Sequence, residues 1–561
     1  NFQGASATDL GNARGLYAIL TGRVTAITGN AVLDEATNQY SYLGARVNRG
    51  RMREFDLFAQ DAWRMRKNLT VNFGMRYAVQ LPFVALNDAY STATVADVWG
   101  VSGIGNLFKP GTMTGTSPTF VQYTAGTKAF NTDWNNLAPN LGFAWRPSAE
   151  GGWRRTVFGR DGDTVIRGGF SLAFSRNGIG DLTGVFNGNP GSQISATRST
   201  ALGNIGPLPL LFRNASQLGP APFASTPVYP MVGVATSSVN IFDPNLQVPY
   251  SESWTIGIQR ALSRNTAVEV RYVGTHNLQS WTTFDFNEAN IVENGFLDEF
   301  KRAMNNLQAN TAAGRGNTFA YTGAGTSPLP IFLAYFNAQP AAQAGDPTKY
   351  AGANWTNSTF LGYLARSNPQ PYLFASASNG SNPGLYADAT RRANALTAGL
   401  PANFFVVNPD LLGGANLTGN GGYTRYDGLQ VELRRRMSHG FLMQSSYTLG
   451  NKLTSSRYSF RAPRELVQST GNGGGIRHAF KTNWVYELPF GHDRRFASSV
   501  KNGLDRVIGG WEFDGTARIQ SGEMLSFGNV RLVGMTDSEL EDVFKIRKDD
   551  QNRIVYILPQ D

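Results

Sequence analysis

The sequence predicts an all-β chain, a large antiparallel transmembrane β-barrel region with long loops at one rim and small helices in the largest loop. Three observations carry that prediction. Paired stretches alternate apolar residues with polar or small ones at period two. Links within a pair are short or moderate, whereas links between pairs are mostly long. The composition is also unusual, with 63 glycines, 12 % aromatic and only 16 % charged residues in 561, against about 25 % charge in typical soluble chains.

The opening residues, NFQGASATDL, show neither the basic start nor the apolar core of a signal peptide. LYAILTGRVTAI reads as helix or strand, and a strand is expected around residues 39–47. The first clear pair is 55–65 with 69–80. In its second member Leu69, Val71, Phe73, Met75, Tyr77 and Val79 share one face, and Thr70, Asn72, Gly74, Arg76, Ala78 and Gln80 the other. Only Arg66, Lys67 and Asn68 intervene, which makes the pair an antiparallel hairpin. After a polar stretch, 87–136, Leu137, Pro139, Leu141, Phe143 and Trp145 alternate with small and polar residues. Their partner sets Thr164, Ile166, Phe170, Leu172 and Phe174 against Val165, Arg167, Ser171 and Ser175.

Residues 177–249 have no strong period and read as loop by their Gly, Pro and Ser content. A third pair then sets Trp254, Ile256, Ile258 and Leu262 against Ser253, Thr255, Gly257 and Gln259, and returns with Val268, Val270 and Tyr272. The largest insert is expected at 274–423. A helix over 293–307 would place Phe296, Phe300, Ala303, Met304 and Leu307 on one stripe. A second, weaker helix is expected near 387–396. An isolated helix of that length is marginal in water, so the insert should fold on itself as a cap, with LPIFLAYF as the partner of the stripe. Asp298 and Glu299 read as the solvated face of the helix. The fourth pair carries Leu429, Val431 and Leu433, then Phe441, Met443 and Tyr447. The fifth carries Phe480, Trp484, Tyr486 and Phe490, then Trp511, Phe513 and Ile519.

A half-buried soluble sheet would alternate in the same way. Sandwiches, however, show turn signals every 8–12 residues or so, and propellers repeat at roughly 40–45. Neither spacing occurs. No run of about 18 apolar residues is present for a spanning helix, so a membrane crossing requires a closed barrel. Trp63, Trp145, Trp484, Tyr486, Phe490 and Trp511 cluster near strand ends, the place of an aromatic girdle. Arg76, Arg167, Glu269, Arg271, Glu432, Arg434, Glu512, Asp514 and Arg518 fall on the polar face and are the lumen-facing candidates. A wall network of hydrogen bonds that merely keeps the lumen wet would use the same residues. An arginine at Phe73 should be costly if that residue meets lipid near the midplane.

Catalytic and cofactor chemistry finds no foothold, and the chain is expected not to be an enzyme. With no cysteine there is no thiolate zinc site, disulfide or Cys nucleophile. His276, His439, His478 and His492 lack metal-ligand spacing. Asp161-Gly162-Asp163 lacks the remaining carboxylates of a calcium loop. GVSGIGNLF and GNGGGIRHAF do not sit between a strand and a helix, so no phosphate cradle is expected, and no GxSxG elbow has the right context. The net charge of +10 is spread over turns rather than one helix or groove, which argues against nucleic acid.

The segments FDLFAQDAWRMRKNLTVNFGMRY, LAPNLGFAWRP, DTVIRGGFSLAF, PYSESWTIGIQRALSRNTAVEVRYVGTHN, YDGLQVELRRRMSHGFLMQSSYTLGNKL, and RHAFKTNWVYELPFGHDRRF followed by GGWEFDGTARIQSGE, resemble the barrel of TonB-dependent outer-membrane transporters, particularly Oar-like proteins. The resemblance implies residence in the bacterial outer membrane, uptake of an unknown extracellular ligand, and energy coupling by TonB through a plug. Nothing before Phe55 resembles a plug or TonB box, and the chain ends in IRKDDQNRIVYILPQD rather than on a terminal aromatic strand. The expectation is therefore a central piece of a longer protein. Two other readings stand beside transport. One is a non-transporting outer-membrane barrel for adhesion or assembly; the other is a soluble secreted β-rich glycan binder, which would need a pair of carboxylates facing one cleft.

Overall fold

The computed structural model describes all residues except 1–3, 5, 148–150, 161, 201, 366–368, 379–381, 456–459, 461–465, 469–475, 523–533, 545–546, 550, 552–553 and 557–561. Asp161 and the whole glycine run of GNGGGIRHAF thus lie outside the described residues. One sheet dominates. Its ten main strands are β1 (Glu54–Arg66), β2 (Leu69–Gln80), β3 (Leu137–Trp145), β4 (Thr164–Phe174), β5 (Tyr250–Ser263), β6 (Thr266–Asp285), β7 (Gly414–Ser438), β8 (Phe441–Ser455), β9 (His478–Glu487) and β10 (Glu512–Gln520). Each lies antiparallel beside its predecessor, and they correspond to the five sequence pairs.

A meander reverses direction at every link, so alternate links share a rim. Links 67–68, 146–163, 264–265, 439–440 and 488–511 lie at one rim; 81–136, 175–249, 286–413 and 456–477 lie at the other. In the tightest turns two residues suffice. His439 and Gly440 both have positive φ, 54° and 74°. Such a turn twists with the strands it joins.

Register assigns each side chain to a face. Leu69, Phe73 and Tyr77 stand beside Trp145, Leu141 and Leu137. The same face carries Ile166, Phe170, Ile256, Ile258, Val270, Leu429, Tyr447, Phe480 and Ile519. This apolar face is open: Leu57 is 66 % exposed, Leu141 54 % and Ile519 68 %. Monomers in water rarely expose a contiguous apolar patch beyond a few hundred Å². The accessible surface is 33086 Å², whereas a compact monomer of this size would show about 19,600 Å². The face requires an apolar solvent.

Two features qualify the pattern. Among the described residues β1 and β10 each pair with one neighbour, so the sheet is an open wall. Edge strand β1 also alternates imperfectly, with Asp61 on the apolar face opposite Phe73 and Phe58 on the polar one.

Burial is concentrated at the long-link rim instead. There the insert folds around Phe296, Phe300, Phe332, Phe360, Phe374 and Phe405. Its helices are α1 (Phe296–Ala312), α2 (Pro330–Asn337), α3 (Ser358–Tyr363), α4 (Pro371–Ser376) and α5 (Ala389–Thr397). Two sequence boundaries need correction. The insert expected at 274–423 spans only 286–413, because β6 and β7 pair as far as Asp285 and Asn416. The helix expected at 293–307 is shifted to Phe296–Ala312. Gly295 lies in the left-handed region at φ 75° and ends it on the N-terminal side, while the Asn294 side chain accepts the Phe296 N–H.

The described residues before β1 pack beside this rim. LYAILT belongs to a helix, Ala7–Thr21, and Tyr40–Tyr42 is the strand within residues 39–47. Strand Asn30–Leu33 pairs with both Tyr40–Tyr42 and Gln193–Ser195.

Candidate functional site

The polar face gathers all nine charged candidates. Arg76, Arg167, Glu269, Arg271, Glu432, Arg434, Glu512, Asp514 and Arg518 occupy register positions opposite other residues of that face, and none is buried. Arg76 pairs with Asp56 at 2.6 Å. Glu269 and Glu432 stand directly opposite each other. Their repulsion is offset by Arg271, 3.7 Å from Glu269, and Arg434, 2.7 Å from Glu432. Arg271 also donates to Gln430, and Gln444 donates to Glu432 at 3.0 Å. Towards the far edge Glu487 faces Glu512 and Lys481 faces Arg518, with Arg494 at 3.2 Å from Glu487. Exposed pairs of this kind contribute about 0–1 kcal/mol each to folding. Their arrangement makes a hydrated charged surface, which suits polar solutes or a polar protein body.

The girdle candidates gather at the short-link rim. Trp63, Trp145, Trp484 and Tyr486 lie on the apolar face near the ends of β1, β3 and β9. Trp145 packs on Phe158 of the adjoining link at 6.0 Å, and Trp484 lies over Gly515, where a side chain would have no room. Phe490 and Trp511 need correction, since β9 ends at Glu487 and β10 begins at Glu512. Phe490 instead packs on Phe496 at 5.5 Å, and the Trp511 indole donates to the Val507 carbonyl at 2.7 Å. The ladder runs one step further, with the Leu488 N–H donating to the Trp511 carbonyl at 2.8 Å, and stops at Pro489, which has no N–H to donate.

Aromatics also stand at the opposite end of the apolar band. Phe55 and Tyr77 are 6.5 Å apart, and Phe174 and Tyr250 5.8 Å. Between Tyr77 and Leu69 the chain runs about 27 Å at roughly 3.4 Å per residue. Tilted by about 40°, it spans close to 21 Å, near the height of a lipid-facing band. Beyond the band, Arg425, Asp427 and His276 occupy the same face. Arg425 and Asp427 are 2.8 Å apart.

The insert adds buried polar groups that sequence reading missed. Glu299, expected on a solvated helix face, is buried with 0 % exposure. It accepts the Phe332 N–H at 2.8 Å at the start of α2, while Arg302 lies 3.7 Å away. Burial pushes its carboxyl up to about 7, against an ordinary value of 4.5. The folded cap then binds more protons than the unfolded chain between those values. Its stability is highest below the window and falls as pH rises through it. The helical circular-dichroism melt of the cap should therefore move to lower temperature as pH rises from about 5 to about 8, and Glu299→Gln should flatten the trend. A wild-type melt indifferent to pH would remove this role.

Asparagines knit the insert to link 81–136 and close it on itself. The Asn408 amide donates to the carbonyls of Asp97 and Val98, at 2.9 and 3.3 Å. Asn403 donates to Ser102 and Thr112, and Asn287 to the carbonyls of Asn408 and Leu411. Asn408→Ala would strand two buried carbonyls, at about 1–3 kcal/mol. Limited proteolysis should then cut links 81–136 and 286–413 sooner, and unchanged cleavage would deny the seam any holding role. Only three-dimensional contact reveals these partners, which lie about three hundred positions apart in sequence.

Among the described residues, no three His, Asp or Glu side chains form a metal-holding group. No described helix is long and apolar enough to cross a membrane, which says nothing of strands.

The profile of the family described as outer membrane beta barrel domain matches residues 1–541. No curated protein matches. Solved structures similar to this chain include the alcaligin outer membrane receptor FauA from Bordetella pertussis, at 8 % identity over 79 % of this chain and 35 % of that one, with a TM-score of 0.27. The ferripyoverdine receptor of the outer membrane of Pseudomonas aeruginosa gives 8 %, 81 %, 28 % and 0.27. The copper transporter OprC gives 7 %, 80 %, 34 % and 0.30. The chain thus spans about a third of the length of these structures. With an exposed apolar face, a charged opposite face and a family match over nearly its whole length, the chain belongs to the outer membrane beta barrel domain family of the bacterial outer membrane.

Proposed function

We propose that this chain is the barrel region of a TonB-dependent, Oar-like transporter, which captures an extracellular ligand through its long links and passes it along the charged face. The carrying observation is asymmetry: packed cores and the 286–413 cap occupy one rim, while the other has links as short as two residues. That matches long extracellular loops over short periplasmic turns. Outer-membrane lipid would meet the apolar face. The nine charged residues would line the lumen and hold a plug carried elsewhere in the full-length protein, on which TonB pulls.

The absence of cysteine makes the test direct. In full-length protein on intact cells, a membrane-impermeant maleimide should label a cysteine at Ala324 in the cap and spare one at His439 in a turn. The reverse would overturn the orientation. Full-length protein should also co-purify with the TonB C-terminal domain. Correct labelling without that capture would favour the adhesion reading instead.

A further inference from the structure

The net positive charge is divided unevenly between the two rims. The short links carry ten lysines and arginines against five aspartates and glutamates; the far longer opposite links carry sixteen against thirteen. Exposed Arg66 and Arg436, near the ends of β1 and β7, add to the excess at the short-link rim.

The two longest of these short-rim links each hold a brief helix, Gly152–Phe158 and Asn502–Ile508. Trp153 and Val157, four positions apart, share one side of the first; Leu504 and Val507, three apart, share one side of the second. All four are exposed, Trp153 by 70 %. Arg155, Arg160, Lys501 and Arg506 stand exposed among them. Helices of seven residues have no stability of their own in water, and both are tied to the wall. Arg260 donates to the Thr156 carbonyl at 2.9 Å, and the Thr164 hydroxyl to the Phe158 carbonyl at 2.6 Å. The Phe158 ring lies against Trp145. Trp145, Thr164 and Arg260 all occupy the apolar face of the sheet. The first helix therefore adjoins the edge of the lipid-facing band. The second is held by the Trp511 indole and by the His492 N–H, which donates to the Asp505 carboxylate at 2.6 Å.

An exposed apolar pair ringed by cations, set at the margin of a lipid-facing band, is the pattern of a helix that lies in the headgroup layer. Zwitterionic headgroups would leave the excess positive charge unneutralised, whereas anionic ones would neutralise it. We propose that the short-link rim is an anchoring collar for acidic phospholipids of the phosphatidylglycerol type. Lipid phosphates meet Arg155, Arg160, Lys501 and Arg506, while Trp153, Val157, Leu504 and Val507 enter the acyl boundary. The collar rests on the orientation proposed above, which turns this rim to the phospholipid leaflet.

The test puts a fluorophore on full-length protein carrying Val157→Cys or Leu504→Cys, in vesicles of phosphatidylcholine and phosphatidylglycerol. Both positions should be shielded from aqueous iodide. Spin-labelled phosphatidylglycerol should compete for them about fivefold better than spin-labelled phosphatidylcholine, the effect of roughly one cation near an anionic surface. Salt at about 1 M should erase that preference. Changing Arg155, Arg160, Lys501 and Arg506 together to Gln should bring it to unity, whereas Lys109→Gln with Lys349→Gln, at the opposite rim, should leave it unchanged. Should the fourfold variant fail to fold, the salt series and the Arg160→Gln, Arg506→Gln pair decide. An iodide-accessible fluorophore, equal quenching by both lipids, or a preference indifferent to salt and to the rim charges would overturn the collar. Labelling of this rim from outside the cell would place it against the other leaflet and overturn the phospholipid assignment together with the orientation. Loss of lipid preference alongside correct labelling and TonB capture would sink the collar alone. Intact preference without TonB capture would sink the transport reading and leave the collar standing.

Discussion

Leu141→Arg should destabilise the folded wall by about 2–4 kcal/mol in a lipid bilayer, and Phe73→Arg by distinctly less. Both residues sit midway between Trp145 and Leu137, the two ends of the apolar band on β3 and its neighbour. Leu141 is 54 % exposed and has Phe73 and Phe170 beside it. An arginine there would have Phe73 and Phe170, and no carboxylate, directly beside it. Phe73 differs, because Asp61 stands directly opposite on β1. A new cross-strand ion pair would recover part of the loss. In an Asp61→Asn background Phe73→Arg should therefore approach the full penalty. Asn72→Arg, one residue away but on the polar face, should cost little. Reversible denaturant unfolding from vesicles measures all four. Equal tolerance of arginine at 141 and 72 would mean that the exposed face does not meet lipid.

The wall was legible because its physics is local. Period-two alternation on neighbouring stretches, with links too short for anything but a hairpin, determines pairing, register and face together. Hence the nine polar-face charges could be nominated from the chain alone. Strand ends were less legible. β6 and β7 continue past Tyr272 and Leu429 through Gly274, His276, Asp427 and Arg425, where the apolar face turns polar and the alternation vanishes. Those residues pair because the backbone ladder continues, whatever the side chains prefer. In the same way Asp61 breaks the alternation of β1, since an edge strand is fully exposed and its pattern is weakly constrained.

The cap was half legible. The stripe Phe296, Phe300 and Ala303 and the run at α2 announced a local core, and these residues are buried together. Glu299 was misread because helical spacing places it beside Asp298, which is solvated, yet it lies near enough to Phe300 to turn inward when a neighbouring helix start offers N–H groups.

Phe374→Ala should cost the cap about 3–5 kcal/mol, more than any other single change considered, and leave the wall intact. Phe374 has 0 % exposure and lies at the centre of the aromatic cluster. Its ring stacks on Phe360 at 4.5 Å, meets Phe332 edge-on at 4.9 Å, and touches Phe300 and Phe319 at 5.9 and 6.0 Å. These contacts join α1, α2, α3 and α4, so truncation opens a void between elements rather than at one helix surface. Short helices such as α3 and α4, six residues each, have no stability of their own. They should melt once the ring is gone. The neighbouring Leu373 is 42 % exposed, and its alanine variant should change stability by about 0.5 kcal/mol or less. Among the described residues the wall strands contribute no side chain to this cluster, and they are held by their own ladder. Protease should therefore cut the Phe374→Ala protein within 286–413 while the β-sheet signal in detergent persists to the wild-type temperature. If both signals were lost together, cap and wall would be one cooperative unit. Wild-type protease resistance would show that the cap does not depend on its aromatic centre.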